Sequence, residues 1–205
     1  MKRKISRIIC IAFLSLLILS PGAFAYSPVS VGDMATFQGG PYQYGSGGEF
    51  AMSINGTYDY QTFCTEQGEY LDFSHQFKVN AFEVPVLENA ALMYHYWAGD
   101  LTGYDYTNTA VGRANTAGDL QNAIWYFNHG GGSSTSPYVA IANAYVADGF
   151  VNDGSIVRLD LQWLQDIGYG INAQDVLAYN AVPEPATMLL LGLGLVGVGL
   201  LRRRS

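Results

Sequence analysis

The chain has 205 residues, of which 49% are hydrophobic, and a formal net charge of −7. The charge is unevenly spread, because residues 26–181 contain 16 acidic residues but only 3 basic ones, Lys78, Arg113 and Arg158. A domain this acidic repels nucleic acid and anionic membranes, so no nucleic-acid partner is expected. Acidity is typical of soluble exported domains, and dedicated cation binding is the less favoured interpretation.

Residues 1–25 have the three regions of a secretory signal peptide. A basic start and a small-x-small cleavage site flank an apolar core over residues 8–19. The basic residues are Lys2, Arg3, Lys4 and Arg7, and the cleavage site is Ala23-Phe24-Ala25. We therefore predict a mature chain that begins at Tyr26. A retained N-terminal anchor is the alternative, and the cleavage site argues against it.

The first part of the predicted mature chain is typical of β-strands. A strand-like region starts at Thr36 and is broken by Gly39-Gly40-Pro41. Further strands are predicted over residues 50–54 and 57–64, and Asn55-Gly56 between them is a strong hairpin turn. Another strand is predicted over residues 77–86. Cys64 thus lies at a strand end.

The pattern then changes to helices. One is predicted over residues 88–98 and ended by Gly99, a second starts at the N-cap Asp119, and a third covers residues 137–147. Strands follow over residues 156–161 and 175–180. This order predicts an α+β fold for one globular domain over 26–181: an antiparallel β-sheet or sandwich with an inserted small helical subdomain.

A lone cysteine is a further informative feature of the predicted mature domain. Cys10 lies in the signal peptide, so Cys64 would be the one cysteine that remains. Exported proteins usually pair their cysteines. Four explanations are open: a buried inert thiol, an intermolecular disulfide, a catalytic nucleophile, or a crosslink to a residue other than cysteine.

Other chemistry is weakly indicated. The histidines His75, His95 and His129 lack the spacing of metal ligands, and no nucleophile-elbow sequence surrounds Cys64. We therefore expect no metal, no cofactor and no enzymatic turnover. Glu66 and Glu69 are possible proton shuttles, although surface carboxylates are the more ordinary interpretation.

The C-terminal residues 182–205 combine three elements in a fixed order. The sequence Val182-Pro183-Glu184-Pro185 precedes an uncharged run over 186–201, and the basic cluster Arg202, Arg203 and Arg204 follows. The run would span roughly 24 Å as a helix, close to the thickness of a hydrocarbon core, with the arginines on the cytoplasmic side. The sequence predicts a transmembrane helix here.

This tail resembles the PEP-CTERM sorting signal of Gram-negative bacteria. The resemblance implies that an exosortase in the inner membrane recognises the membrane-anchored precursor and processes it near the motif. It also implies a final location at the cell surface or in an extracellular matrix, with exopolysaccharide or biofilm association. The alternative is an ordinary C-terminal anchor.

Two segments of the mature domain resemble the signatures of bacterial thioester domains. They are Phe63-Cys64-Thr65-Glu66 and the sequence Gln-Asn-Ala-Ile-Trp over residues 121–125. The resemblance implies an internal thioester between the sulfur of Cys64 and the side-chain carbonyl of Gln121, shielded or supported by Phe63, Glu66 and Trp125. If Gln121 lies in the first turn of its helix, the helix dipole would favour a Cys64 thiolate.

Two functions follow from these patterns. In the first, the exported protein adheres covalently through Cys64 and Gln121 to an extracellular polysaccharide or to surface amine or hydroxyl groups. In the second, it binds exopolysaccharide without a covalent bond, or is structural, and Cys64 is a core residue. In both, the precursor contacts the inner membrane transiently and exosortase is the processing partner.

Overall fold

The computed structural model describes residues 29–44, 47–69, 71–107, 110–129, 131–164 and 172–180. These residues form six strands and three helices, and all three helices lie between the fourth and fifth strands. The strands are β1 Met34–Tyr44, β2 Gly47–Ile54, β3 Thr57–Thr62, β4 Gln76–Glu83, β5 Ile156–Trp163 and β6 Val176–Tyr179. The helices are α1 Leu87–Ala98, α2 Ala110–His129 and α3 Pro137–Ala147.

The strands form one antiparallel sheet in the order β3-β2-β1-β4-β5-β6. Its two outermost strands also meet. An isolated antiparallel bridge joins Cys64, just after β3, to Val176 in β6, and Leu177 N donates to Phe63 O at 3.2 Å. The sheet therefore curls and closes on itself at the end that carries Cys64.

Residues 63 and 64 and their partners 176 and 177 form a seam where the two outermost strands meet. Their side chains alternate between two hydrophobic cores. Cys64 and Val176 belong to the core enclosed by the curled sheet, together with Phe37 and Phe77. Phe63 and Leu177 belong to the second core, which lies between the sheet and the helices. This alternation is expected where successive side chains of a strand point to opposite faces. The Cys64 side chain therefore lies in the core that the curled sheet encloses, and not in the core against the helices.

Several predictions about local structure are confirmed. Asn55 and Gly56 both have positive φ angles, 50° and 88°, as a two-residue hairpin turn requires. Gly99 ends α1 in the left-handed conformation, with φ of 78°. Helix α3 has the predicted bounds. The α+β class, with helices inserted into an antiparallel sheet, is also confirmed.

Two predictions are wrong in detail. Helix α2 begins at Ala110, nine residues before the predicted N-cap Asp119, which lies exposed in mid-helix. Strand β1 passes through Gly39-Gly40-Pro41, because a register shift between Gly39 and Gln43 accommodates these residues. Of the two predicted arrangements, sheet or sandwich, the described strands form the single sheet. The predicted signal peptide and the C-terminal segment 182–205 lie outside the described residues.

Candidate functional site

Cys64 lies in a segment whose backbone is held from two sides. On the sheet side, Thr65 N donates to Asp175 O at 2.9 Å, which continues the seam with β6. On the helix side, Asn128 Nδ2 in α2 donates to Thr65 O at 2.8 Å. Cys64 itself is completely buried. The segment is therefore fixed between β6 and α2.

The structure brings Gln121 directly against Cys64. The Gln121 Oε1 atom accepts hydrogen bonds from Cys64 N at 3.2 Å and from Gly48 N, in β2, at 3.0 Å. Its Nε2 atom donates to Cys64 O at 2.6 Å. The carboxamide thus pairs with both backbone groups of Cys64, and two N–H groups converge on its carbonyl oxygen. The two residues named by the resemblance are therefore in direct contact through the Gln121 carboxamide and the Cys64 backbone.

The Cys64 thiol does not lie near a helix N-terminus, which the sequence had suggested would favour its thiolate form. Burial, and secondarily the charge of Glu66, raise the pKa of Cys64 well above the usual range of a thiol. Gln121 is the twelfth residue of α2, so the first-turn helix dipole cannot act at this site. The prediction of a thiolate favoured by a helix N-terminus is wrong, because the helix starts much earlier than the sequence indicated.

The residues predicted to shield the site occupy different positions around it. Phe63 is fully buried and packs edge-on against Tyr96, with ring centroids 5.3 Å apart. Trp125 lies one helical turn after Gln121 and is 7% exposed. Gly47 lies against the side chains of Trp125 and Gln121. A Cβ added to Gly47 would be 2.6 Å from the Trp125 ring and 2.8 Å from Gln121 Cγ. Tyr126, the next residue of α2, is 38% exposed and offers little cover.

A cleft of about 310 Å³ opens beside the Cys64–Gln121 pair. Residues 65–69, Trp125 and Gly131 line it. Glu66 is half-buried there, while Glu69 is exposed. Carboxylate oxygens of Glu66, Glu69 and Asp175 all lie within 4.8 Å of one another. The cleft therefore has an aromatic wall and an acidic rim.

The crowding of these carboxylates changes their protonation. Burial and the neighbouring Glu66 raise the pKa of Glu69 to about 7. Burial and Glu66 likewise raise the pKa of Asp175 to about 7, although Arg158, whose Nε lies 3.5 Å from Asp175 Oδ2, opposes the shift. Arg158 Nη1 is also 3.7 Å from Glu66 Oε1. The crowding therefore raises the pKa of both Glu69 and Asp175.

A buried ion pair between α2 and β2 lies on the β2 side of the site. Arg113, near the start of α2, donates to both carboxylate oxygens of Glu49 in β2, at 2.6 and 3.0 Å. Tyr104 Oη donates to the same carboxylate at 2.8 Å. The ion pair joins α2 to β2, the strand that carries Gly48. It therefore helps to position the Gly48 N–H group that donates to Gln121 Oε1.

Sequence reasoning missed several of these residues. The sequence predicts no functional role for Gly47 or Gly48, and Arg113 counts there only as a basic residue in an acidic domain. Asp175 was assigned to a strand end without a partner. The paired glycines before a strand were the one available signal, because glycine often marks a close approach of another group to the backbone.

The fold and site define an α+β domain whose curled sheet closes beside a buried Cys–Gln pair. Residues 181–204 match the family of the PEP-CTERM protein-sorting motif. This match supports an exosortase substrate, made as a membrane-anchored precursor and processed for the cell surface. Searches of curated proteins and of solved structures found no match to the chain. Within the part of the chain that the structure describes, no helix combines the length and apolarity that a membrane span needs.

Proposed function

We propose that this exported protein attaches covalently to a surface partner through an internal thioester between Cys64 and Gln121. The observation that carries the proposal is the pair of backbone N–H groups on Gln121 Oε1, from Gly48 at 3.0 Å and Cys64 at 3.2 Å. Such a pair polarises the carbonyl and stabilises the negative oxygen that forms when a nucleophile adds to the carbon.

The proposed step balances without a further reactant. The Cys64 sulfur adds to Cδ of Gln121, the Cδ–Nε2 bond breaks, and the thiol proton leaves with the nitrogen as part of ammonia. Because the thiol pKa is raised by burial, the proton moves with the attack and does not leave beforehand. The carboxamide is hydrogen-bonded to the backbone of the residue that carries the thiol, so the reaction is intramolecular, which supplies the effective concentration that an amide otherwise lacks.

The thioester would then acylate an amine or hydroxyl group of the partner. Cys64 is regenerated as a thiol, and the partner remains bonded to Gln121. Each molecule reacts once, so the protein is an adhesin and not an enzyme. Full burial of Cys64 and the cover provided by Phe63 and Trp125 would limit hydrolysis before the partner arrives.

Intact mass spectrometry of the exported protein tests the proposal. We expect a deficit of one ammonia relative to the processed sequence, and one methylamine added to that product after incubation with methylamine. Cys64→Ala and Gln121→Glu should have neither the deficit nor the adduct. A mass equal to the plain sequence, with Cys64 alkylated by iodoacetamide only after unfolding, would overturn the proposal.

A second function is favoured by the buried, protonated thiol. In it, Cys64 is a core residue of a domain that binds exopolysaccharide non-covalently or is structural, and Gln121 serves only to pair its backbone. Surface attachment that survives in Cys64→Ala and Gln121→Glu, with folding intact, would favour this function. Attachment that resists boiling in detergent and disappears in both variants would favour the thioester.

A further inference from the structure

Three neighbouring strands, β4, β5 and β6, share one end of the sheet. Glu83, the last residue of β4, pairs with β5 two residues after its start, and the first residue of β5 pairs with Tyr179, the last of β6. Asn180 N extends this pairing, because it donates to Ser155 O at 2.7 Å. The chain therefore leaves the described fold at Asn180, and we call this end of the three strands the exit end.

The exit end carries the two most exposed large apolar side chains of the described residues. Val84, which directly follows β4, is 88% exposed, and Val151, in the loop before β5, is 77% exposed. Val86 is also exposed. The loop is held in place because Asn152 Oδ1 accepts from Ile156 N at 3.3 Å and Asn152 Nδ2 donates to Ile156 O at 2.8 Å. Single exposed apolar side chains are ordinary, but here the most exposed ones share the end from which the chain leaves.

The length of chain beyond Asn180 limits how the domain can sit on a membrane. Only residues 181–185 separate Asn180 from the uncharged run that begins at Ala186, within the matched sorting motif. Fully extended, this connection spans at most about 20 Å. A compact domain of this length is about 38 Å across. The connection is therefore too short to pass around the domain, and the exit end must face the membrane in the anchored precursor.

We infer that the exit end is a lipid-contacting surface of the anchored precursor, with Val84, Val86 and Val151 against the non-cytoplasmic face of the bilayer. Contact with the bilayer removes the apolar surface of these valines from water. The short connection holds them close to the lipid at a high effective concentration, so a small apolar area is sufficient. Processing near the motif would remove this advantage and release the surface from the lipid.

Charged groups at the exit end restrict which lipids it fits. Glu83 forms an ion pair with Arg158. Glu88, at the start of α1, and Asp153, in the loop before β5, add negative charge close to the exposed valines. Anionic headgroups repel these carboxylates, so the surface fits zwitterionic lipid, and its contact weakens as the fraction of anionic lipid rises.

This orientation directs the proposed thioester site away from the membrane. Cys64 is bridged to Val176, four residues before Asn180 in β6, which is about 13 Å along a strand. Thr65, which lines the cleft, pairs with Asp175, one residue further from Asn180. The anchored precursor would therefore present Cys64 and the cleft to its surroundings. The lipid contact itself does not depend on whether the thioester forms.

Fluorescence quenching by labelled lipid tests the contact. The anchored precursor, with Cys10→Ser and Cys64→Ala, is placed in phosphatidylcholine vesicles whose headgroups carry a nitroxide quencher. One fluorophore is attached at Asp148→Cys, three residues before Val151, or at Gly68→Cys in the cleft as the control for the far end. We expect at least about twofold stronger quenching at position 148 than at position 68, because only the exit end lies on the lipid.

Serine variants separate apolar contact from the effect of a short connection. In Val84→Ser/Val151→Ser, quenching at position 148 should fall toward the value at position 68. Val111→Ser is the matched control, since it changes a valine that is 75% exposed at the start of α2, and it should leave the quenching unchanged. Equal quenching at the two positions, or quenching at position 148 that the double variant does not reduce, would overturn the inference. Energy transfer between labelled precursors in place of quenching would also overturn it, because a second copy of the chain would then cover the surface.

Discussion

The Gln121 carboxamide takes the place of a neighbouring strand for Cys64. It accepts from Cys64 N and donates to Cys64 O, which are the two bonds that a paired peptide group would make. The carboxamide therefore lies between Cys64 and Gly48 of β2, beyond the point where direct pairing of β2 with β3 ends. This relationship explains why a glutamine is tolerated in a fully buried position.

Gln121→Ala should destabilise the domain strongly. The change leaves Cys64 N, Cys64 O and Gly48 N without partners inside the protein, so we expect the free energy of unfolding to fall by about 3 kcal/mol. Urea unfolding in a Cys64→Ala background measures this without interference from a crosslink. Asn122→Ala is the control. Its Nδ2 bonds only to Gly118 O within α2, so it should cost less than about 1 kcal/mol.

Gly47→Ala tests the packing of Trp125 over Gln121. The added Cβ would lie 2.6 Å from Trp125 Cη2 and Cζ2, so the indole must move. We expect a loss of about 1–3 kcal/mol and a shift in Trp125 fluorescence. Gly68→Ala, in the cleft rim, meets nothing within 4 Å and should be nearly neutral. Equal stability of the two variants would mean that Trp125 does not pack against β2.

The Glu49–Arg113 pair should be strongly coupled. The Glu49 side chain is 2% exposed and that of Arg113 is 14% exposed, so Arg113→Met leaves a buried carboxylate without its cation. We expect this change to cost about 3 kcal/mol, and the double variant Glu49→Gln/Arg113→Met to cost less than the sum of the two single changes. Strictly additive losses in urea unfolding would contradict direct coupling.

Stability should decrease from pH 5 to pH 8. Glu69 and Asp175 have a pKa of about 7 in the folded domain, above the ordinary values of about 4.3 and 3.9 in the unfolded chain. The folded state therefore holds more protons between about pH 4 and pH 7, and the free energy of unfolding falls as pH rises through that window.

Matched variants locate the source of that pH dependence. Asp175→Asn should reduce the difference in unfolding free energy between pH 5 and pH 8. Asp153→Asn should not, because hydrogen bonds from Ser155 lower the pKa of Asp153, so its effect falls below this window. A pH dependence that is unchanged in Asp175→Asn would contradict the assignment.

Local sequence signals were sufficient for much of the fold. Asn55-Gly56 specified a hairpin because both residues tolerate positive φ, and Gly99 ended α1 for the same reason. The start of α2 was missed because residues 110–118 include Gly112 and Gly118, which are weak helix formers. The contact between Arg113 and Glu49 stabilises that part of the helix, and it joins residues 64 positions apart.

The sequence by itself determined the C-terminal sorting motif, the acidic character and the α+β class, because these depend on composition and on short sequence patterns. It also selected Cys64 and Gln121, through a resemblance. The tertiary structure decided what surrounds them: the seam with β6, the N–H group of Gly48, the protonated thiol and the acidic cleft. These features depend on the closure of the sheet, which brings together residues as distant as Thr65 and Asp175, and no local pattern encodes that closure.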